Sequence, residues 1–288
     1  MTTQNYSGNS QIYDSFLKAP FYARKHASYF AVYDHLLSPL RGKPVTLVEI
    51  GVWNGGSLFM WRDFFGEKAR IIGVDINENA KKLESYGFEI FIGDQGDPSF
   101  WKRLFLEVGM VDVIIDDGGH QYDQQIITTH ECLDHINDGG LMIVEDTHTS
   151  YMRRFGYPTK YTYVQYCKNF IDILATRFSA VKKSGLNFLS GYKSLIFSVR
   201  FFESIVCFEI DRKKCIENSA LDNLGTAQST KKFLVASDSD TPEKKLSSFR
   251  SNGAKKIKFG LKIYRRILKV EFQRLKVLFR LRKIKSYF

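Results

Sequence analysis

Four carboxylates and a histidine stand in two short runs of this chain, Asp116-Asp117-Gly118-Gly119-His120 and Glu145-Asp146. Each run closes an apolar stretch that reads as a buried strand. In a parallel sheet, neighbouring strands deliver their C-terminal ends to one crevice. Carboxylates brought that close repel one another unless a cation neutralises them. Mg²⁺ suits the role, since it takes a few carboxylates and completes its shell with water or substrate oxygens. Asp117, Glu145 and Asp146 are the expected ligands. Coordination to such an ion lowers the pKa of a bound hydroxyl or water. His120, three residues past Asp117 on a glycine turn, is the expected general base, because an imidazole titrates at about pH 6.5. The competing reading makes Asp116 and Asp117 helix caps and His120 a surface residue, which leaves Glu145-Asp146 unexplained.

A second constellation lies upstream. Val48-Glu49-Ile50-Gly51-Val52-Trp53-Asn54-Gly55-Gly56-Ser57 runs from an apolar strand into a helix. Gly51 permits a tight turn and close approach of a ligand. The pattern is ExGxxxGxS rather than GxGxxG, and an acid inside the turn suits a ligand bearing an ammonium group better than a pyrophosphate. S-adenosylmethionine is the cofactor this implies. Asp75 ends the next strand, where an acid accepts ribose hydroxyls, and Gly93-Asp94-Gln95 ends a third, suited to adenine. Glu49, Gly51, Ser57, Asp75, Asp94, Gln95 and Asp116 form the expected cofactor set. The glycine turn has a merely structural alternative and Asp75 one as a helix cap; the order and spacing of the three strand ends favour binding.

The elements that must position these residues are legible as alternating short apolar runs and helical stretches, the pattern of a parallel α/β sheet. Val45–Gly51, Ala69–Ile76, Phe88–Asp94, Val111–Asp117 and Leu141–Asp146 read as strands. A helix is expected over Asp123–Asn137, closed by Asp138-Gly139-Gly140. Tyr22–Leu37 reads as an aromatic-rich helix ended by Pro39, and Tyr161–Phe178 as another. Leu195–Phe201 and Ser204–Ile210 read as an antiparallel pair at the sheet edge. The fold class is therefore α/β, a Rossmann-like seven-stranded sheet with helices on both faces. Its domain spans 1–213, with a flexible N-terminus over 1–20, followed by a flexible linker over 214–254 and a basic amphipathic helix over 255–288.

These motifs resemble metal-dependent O-methyltransferases of the catechol type, and more closely the sugar O-methyltransferases of the macrolide type. Related motifs occur in rhamnosyl O-methyltransferases and cephalosporin-hydroxylase-like proteins. The resemblance rests on Lys25-His26, Val48–Ser57, Asp116–His120, Glu145-Asp146-Thr147-His148-Thr149-Ser150-Tyr151 and Phe202-Glu203-Ser204-Ile205-Val206, and covers roughly Phe21 to Asp211. It implies that Asp117, Glu145 and Asp146 hold Mg²⁺ and that His120 is the base. Two departures stand out. The macrolide enzymes carry a further N-terminal domain, and Gly119 stands where a serine is expected, which would loosen the turn that holds His120. His148 and Tyr151 are expected to line the acceptor pocket. Lys25 and His26 either close over the cofactor or lie on a helix surface. Trp53 and Trp61 are expected in the core, and His130 and His135 as packing or solvent residues.

The charge of +11 is concentrated in the tail. Lys255 to Phe288 holds thirteen Lys or Arg against Glu271 alone, a net of +12, which leaves −1 for everything before it. A near-neutral body argues against nucleic acid as partner. A basic amphipathic tail suits an anionic membrane surface, so a cytoplasmic enzyme peripheral to the inner face of the membrane is expected. A homo-oligomer is the alternative use of that helix. The scattered cysteines form no CxxC pair, which fits a reducing compartment. The activity expected is Mg²⁺-assisted methyl transfer to a hydroxyl of a sugar in a glycan, glycolipid or glycosylated metabolite. The alternatives are a phenolic or antibiotic-like acceptor, or a non-catalytic S-adenosylmethionine-binding scaffold.

Overall fold

The computed structural model describes residues 8–156, 159–178, 181, 187–221, 223, 283–284 and 287. Seven strands form one sheet: β1 (Thr46–Ile50), β2 (Arg70–Asp75), β3 (Glu89–Ile92), β4 (Val111–Asp116), β5 (Ile136–Val144), β6 (Ile196–Phe202) and β7 (Ile205–Ile210). Their order is β3-β2-β1-β4-β5-β7-β6. The first five are parallel, whereas β7 pairs antiparallel with β5 and β6 antiparallel with β7. The expected hairpin therefore sits at the edge with its second strand tucked inside.

Alternation along the strands divides the core in two. Val48, Ile50, Ile72, Val74, Ile114, Met142 and Phe208 face α4 (Pro98–Val108), α5 (Tyr122–Cys132) and α6 (Tyr163–Ala175). Leu47, Ile71, Val113, Ile115, Ile143 and Cys207 face α1 (Gln11–Lys18), α2 (Ala27–Leu37) and α3 (Gly56–Phe65). Glu49 shares the second face with Leu47, which puts a carboxylate into an aromatic layer containing Tyr33 and Trp61.

Three expectations about elements change. The helix expected from Tyr22 begins only at Ala27, and residues 22–26 run extended into it. The helix expected over Asp123–Asn137 ends at Cys132. After one 3₁₀ turn (Leu133–His135) the chain enters β5 at Ile136, which is fully buried and pairs with Val111. Within the stretch expected to be flexible over 1–20, Ser10 caps α1 and Ile12 is fully buried against α2 and α3 neighbours. Most of the linker and tail (214–254 and 255–288) lies outside the described residues. Of those described, Ile284 is fully buried in the α4–α6 cluster, and Tyr287 meets the His130 ring edge-on at 4.6 Å. The chain's end thus contributes to the core of the unit formed by Met1–Asn218 and Arg274–Phe288. Among the described residues, no helix is long and apolar enough to cross a membrane.

Candidate active site

The C-terminal ends of β1 to β5 open onto a cleft of about 1090 Å³. On the β1–β3 side, Gly51 turns with φ +87°, and a Cβ there would lie 2.2 Å from the Asp117 carbonyl oxygen. Only glycine lets the two strand ends close this tightly. Asp75 accepts from the backbone N–H of Trp53 (2.9 Å) and of Asn77 (2.8 Å), so its carboxylate is fixed at the cleft wall. Gly51, Ser57, Asp75, Asp94 and Gln95 all line the cleft. Glu49 and Asp116 do not reach its surface. Glu49 is fully buried and accepts from Ser57 Oγ (2.7 Å) and Trp61 Nε1 (2.9 Å). Burial raises its pKa, against the opposing pull of Lys25 and these two donors. Asp116 accepts from Gln95 Nε2 (3.0 Å) and Gly118 N (3.2 Å) behind the cleft floor.

Gln95 is a brace more than a free contact. Besides Asp116 it donates to Thr128, and its Oε1 accepts from Gly119 N at 2.7 Å. The turn that carries His120 is therefore tied down. A side chain at Gly119 would meet Gln124 Oε1 at 2.2 Å, so the expected loosening by glycine is absent and a serine would have to displace Gln124.

On the β4–β5 side, Asp117, His120 and Asp146 each present a ligand atom within 4.8 Å of the others. His120 Nε2 lies 3.8 Å from Asp117 Oδ1 and 3.4 Å from Asp146 Oδ2, while its Nδ1 is buried with no hydrogen-bond partner. Asp146 is held by Tyr29, whose hydroxyl donates to Oδ1 at 2.5 Å and accepts from the Asp146 N–H at 3.1 Å. Glu145 also lines the cleft, but it is 1% exposed, and its Oε1 accepts from Tyr33 and from Lys25 Nζ (2.8 Å). Burial and then repulsion from Asp117 push its pKa up to about 8, against the pull of Lys25 and Tyr33. The same Lys25 ammonium lies 2.7 Å from Asp117 Oδ2 and 3.8 Å from Glu49 Oε1. Burial alone would lower the Lys25 pKa, but Asp117, Glu145 and Glu49 outweigh it and hold it above the usual lysine range.

His148 lines the cleft and bonds through Nδ1 to Ser204 Oγ at 2.5 Å. Tyr151 does not: it is 68% exposed and lies outside the lining. Trp61 is buried as expected, but Trp53 is 62% exposed at the rim, its ring edge-on to Tyr22 at 5.1 Å. His130 accepts or donates to the Tyr192 hydroxyl and His135 stacks on Phe105, both as packing residues.

Lys25, Tyr29, Tyr33 and Ser204 were weak or silent as sequence signals, because their partners lie 92 to 175 positions away. One backbone feature marks the site independently. Among the described residues, the non-glycine positions with positive φ are Trp53, His120, Asp146 and Ser204. All four line the cleft or brace a residue that does. Backbone strain of this kind persists where surrounding structure over-determines it, and it clusters at functional sites.

Residues 48–147, the span from β1 through the Glu145-Asp146 end of β5, match the family described as "Methyltransferase domain". Over that span, about a third of its length, the chain is similar to this family. Its relatives include demethylmacrocin O-methyltransferase of Streptomyces fradiae, 35% identical over 131 residues, 43% of this chain and 33% of that one. Mycinamicin VI 2''-O-methyltransferase of Micromonospora griseorubida is 35% identical over 132 residues, 43% of this chain and 32% of that one. This chain spans about a third of the length of the curated relatives it matches. Among solved structures, the MycE methyltransferase of the mycinamycin pathway, in complex with Mg, SAH and mycinamycin VI, superimposes with a TM-score of 0.60. It is 26% identical, over 70% of this chain and 53% of that one. The seven-stranded methyltransferase fold is thus shared.

Proposed function

We propose that this chain is an S-adenosylmethionine-dependent O-methyltransferase that methylates a hydroxyl group of a sugar with the help of Mg²⁺. One observation carries the reading: Gly51, Asp75 and Asp94 line one half of a single cleft, and Asp117, His120 and Asp146 line the other. A cleft of about 1090 Å³ accommodates a nucleoside cofactor beside an acceptor. The donor set fits a hard divalent ion, with the carboxylates of Asp117, Glu145 and Asp146 all among the cleft lining. Mg²⁺ held there supplies the charge that lowers the pKa of the acceptor hydroxyl.

The protein's own groups do the rest. Asp75 and Asp94 are placed to take the ribose and adenine of S-adenosylmethionine, with Gly51 leaving room for close approach. Glu49 acts from behind, through Ser57. The acceptor oxygen attacks the methyl carbon of the sulfonium, the electrons of the breaking C–S bond stay with sulfur, and the acceptor proton passes to His120 Nε2. His120 Nε2, the ring nitrogen nearest Asp117 and Asp146, is the atom that takes the proton. His148 and Trp53 flank the open side, where the acceptor enters.

The sugar reading is supported by a further relative, 35% identical over 135 residues, the 8-demethyl-8-alpha-L-rhamnosyl tetracenomycin-C 2'-O-methyltransferase of Streptomyces olivaceus, whose name carries a rhamnosyl group. It is tested by methyl transfer from labelled S-adenosylmethionine to rhamnosides and related deoxysugar glycosides, with and without EDTA. Transfer that EDTA abolishes and Mg²⁺ restores is expected. Transfer only to phenols, or none to any hydroxyl, would overturn it. Attachment of the tail to an anionic membrane surface rests on net charge alone, and vesicle flotation of the full chain tests it.

A further inference from the structure

Lys25 is the residue the proposed chemistry leaves unused. It ends an extended segment that crosses the start of α3 so closely that a Cβ at Gly56 would meet the Phe21 carbonyl oxygen at 2.3 Å. From there its side chain enters the acidic cluster and is 2% exposed. The ammonium sits 2.7 Å from Asp117, 2.8 Å from Glu145 and 3.8 Å from Glu49, with the Tyr33 and Trp61 rings each 5.9 Å away. A buried lysine persists only where opposite charge compensates its lost hydration. Here it is also the ammonium that makes three neighbouring buried or half-buried carboxylates tolerable.

We infer that Lys25 is the built-in counter-cation of this site, which competes with a divalent ion for Asp117 and Glu145 and so sets the metal affinity. The inference rests on the metal reading above. The two oxygens of Asp117 divide the work: Oδ2 is on Lys25, and Oδ1 faces His120 and Asp146. Oε1 of Glu145 is taken by both Lys25 and Tyr33. An ion that takes Glu145 through Oε1 must displace Lys25, and one that takes Oε2, or only Asp117 and Asp146, binds beside a positive charge. On either path the lysine weakens binding, while it stabilises the metal-free protein. A lysine with a merely structural role would produce no such opposition of sign.

The test compares the full-length wild type with Lys25→Met and Lys25→Arg, using MnCl₂ alone, without S-adenosylmethionine or acceptor. Free Mn²⁺ is counted by electron paramagnetic resonance, and melting is followed with and without the ion. Lys25→Met is expected to melt lower than wild type without metal yet bind Mn²⁺ about tenfold or more tightly, while Lys25→Arg stays near wild type. Mn²⁺ affinity in Lys25→Met equal to or below that of wild type overturns the inference. Should that variant not fold, Lys25→Gln carries the same comparison. Titration with S-adenosylhomocysteine separates the remaining failure. If it binds but no variant takes up Mn²⁺, both the metal reading and this inference fall, and the cofactor reading stands.

Discussion

The two ends of the sheet are built on opposite terms. At the end where β2, β4 and β5 begin, the chain turns in open space: a Cβ at Gly66 or Gly109 would meet nothing within 4 Å. Ion pairs there are exposed, as in Arg70–Glu89, whose side chains are 40% and 45% accessible. Where the parallel strands end, a Cβ at Gly51 or Gly119 would strike neighbouring atoms at 2.2 Å. Lys25 and Glu145 form a buried ion pair there, at 2% and 1%. Exposed pairs contribute little to stability, whereas buried charges are costly unless paired. The first end only connects elements. The second spends stability on crowding and charge, which a fold tolerates where a ligand is to be held.

That contrast breaks most visibly at the acidic cluster. Asp117→Asn, which keeps the shape and removes the charge, is expected to lower methyl transfer by about a thousandfold, since metal-assisted catalysis contributes several kcal/mol. S-adenosylhomocysteine affinity, measured by calorimetry, should stay near wild type. Asp138→Asn, which removes an exposed partner of Arg212 at the other end, should leave turnover unchanged. His120→Gln sharpens the division of roles inside the cleft. As the base, its loss should cost about a hundredfold in kcat with unaltered Mn²⁺ affinity; a drop in Mn²⁺ affinity would instead make it a ligand.

Glycine substitutions ask the same question of the backbone. Gly51→Ala is expected to destabilise by about 2–4 kcal/mol, from left-handed strain plus overpacking against Asp117. Gly109→Ala, at φ +76° and ψ −151° in open surroundings, should cost about 1–3 kcal/mol from strain alone. Urea unfolding of both variants measures the gap, and equal losses would remove the distinction between the two ends.

The sequence was most readable where a motif is local. Strand, turn and helix around Gly51 announce themselves within ten residues, as do the apolar runs that become the strands. The acidic half of the cleft was readable in outline. Asp117, Glu145 and Asp146 stand where strands end, and all three line the cleft with His120. Silent in the sequence was the arrival of Lys25 and Tyr33 at Glu145 from more than a hundred residues away. The expectation for Tyr151 failed for a local reason. It follows the motif closely, yet a 3₁₀ segment (Thr147–Tyr151) carries it out of the cleft.

The smallest effect belongs to His135, at the connecting end just before β5, where its ring stacks on Phe105 at 4.0 Å and 7°. Burial lowers its pKa, with Asp134 opposing. The neutral form is therefore favoured in the folded protein. Above the unfolded value of about 6.5 the ring is neutral in both states and exacts nothing. As pH falls below that value, the unfolded chain takes up the proton first, and stability declines until the folded ring titrates as well. His130, lowered by burial too, adds to the same slope. His135→Phe keeps a ring on Phe105 and removes one of the two contributions. The fall in melting temperature between pH 7.5 and 5.5 should then shrink by about 1 °C. An undiminished slope would place the acid sensitivity elsewhere, most directly in the charged cluster at the opposite end of the sheet.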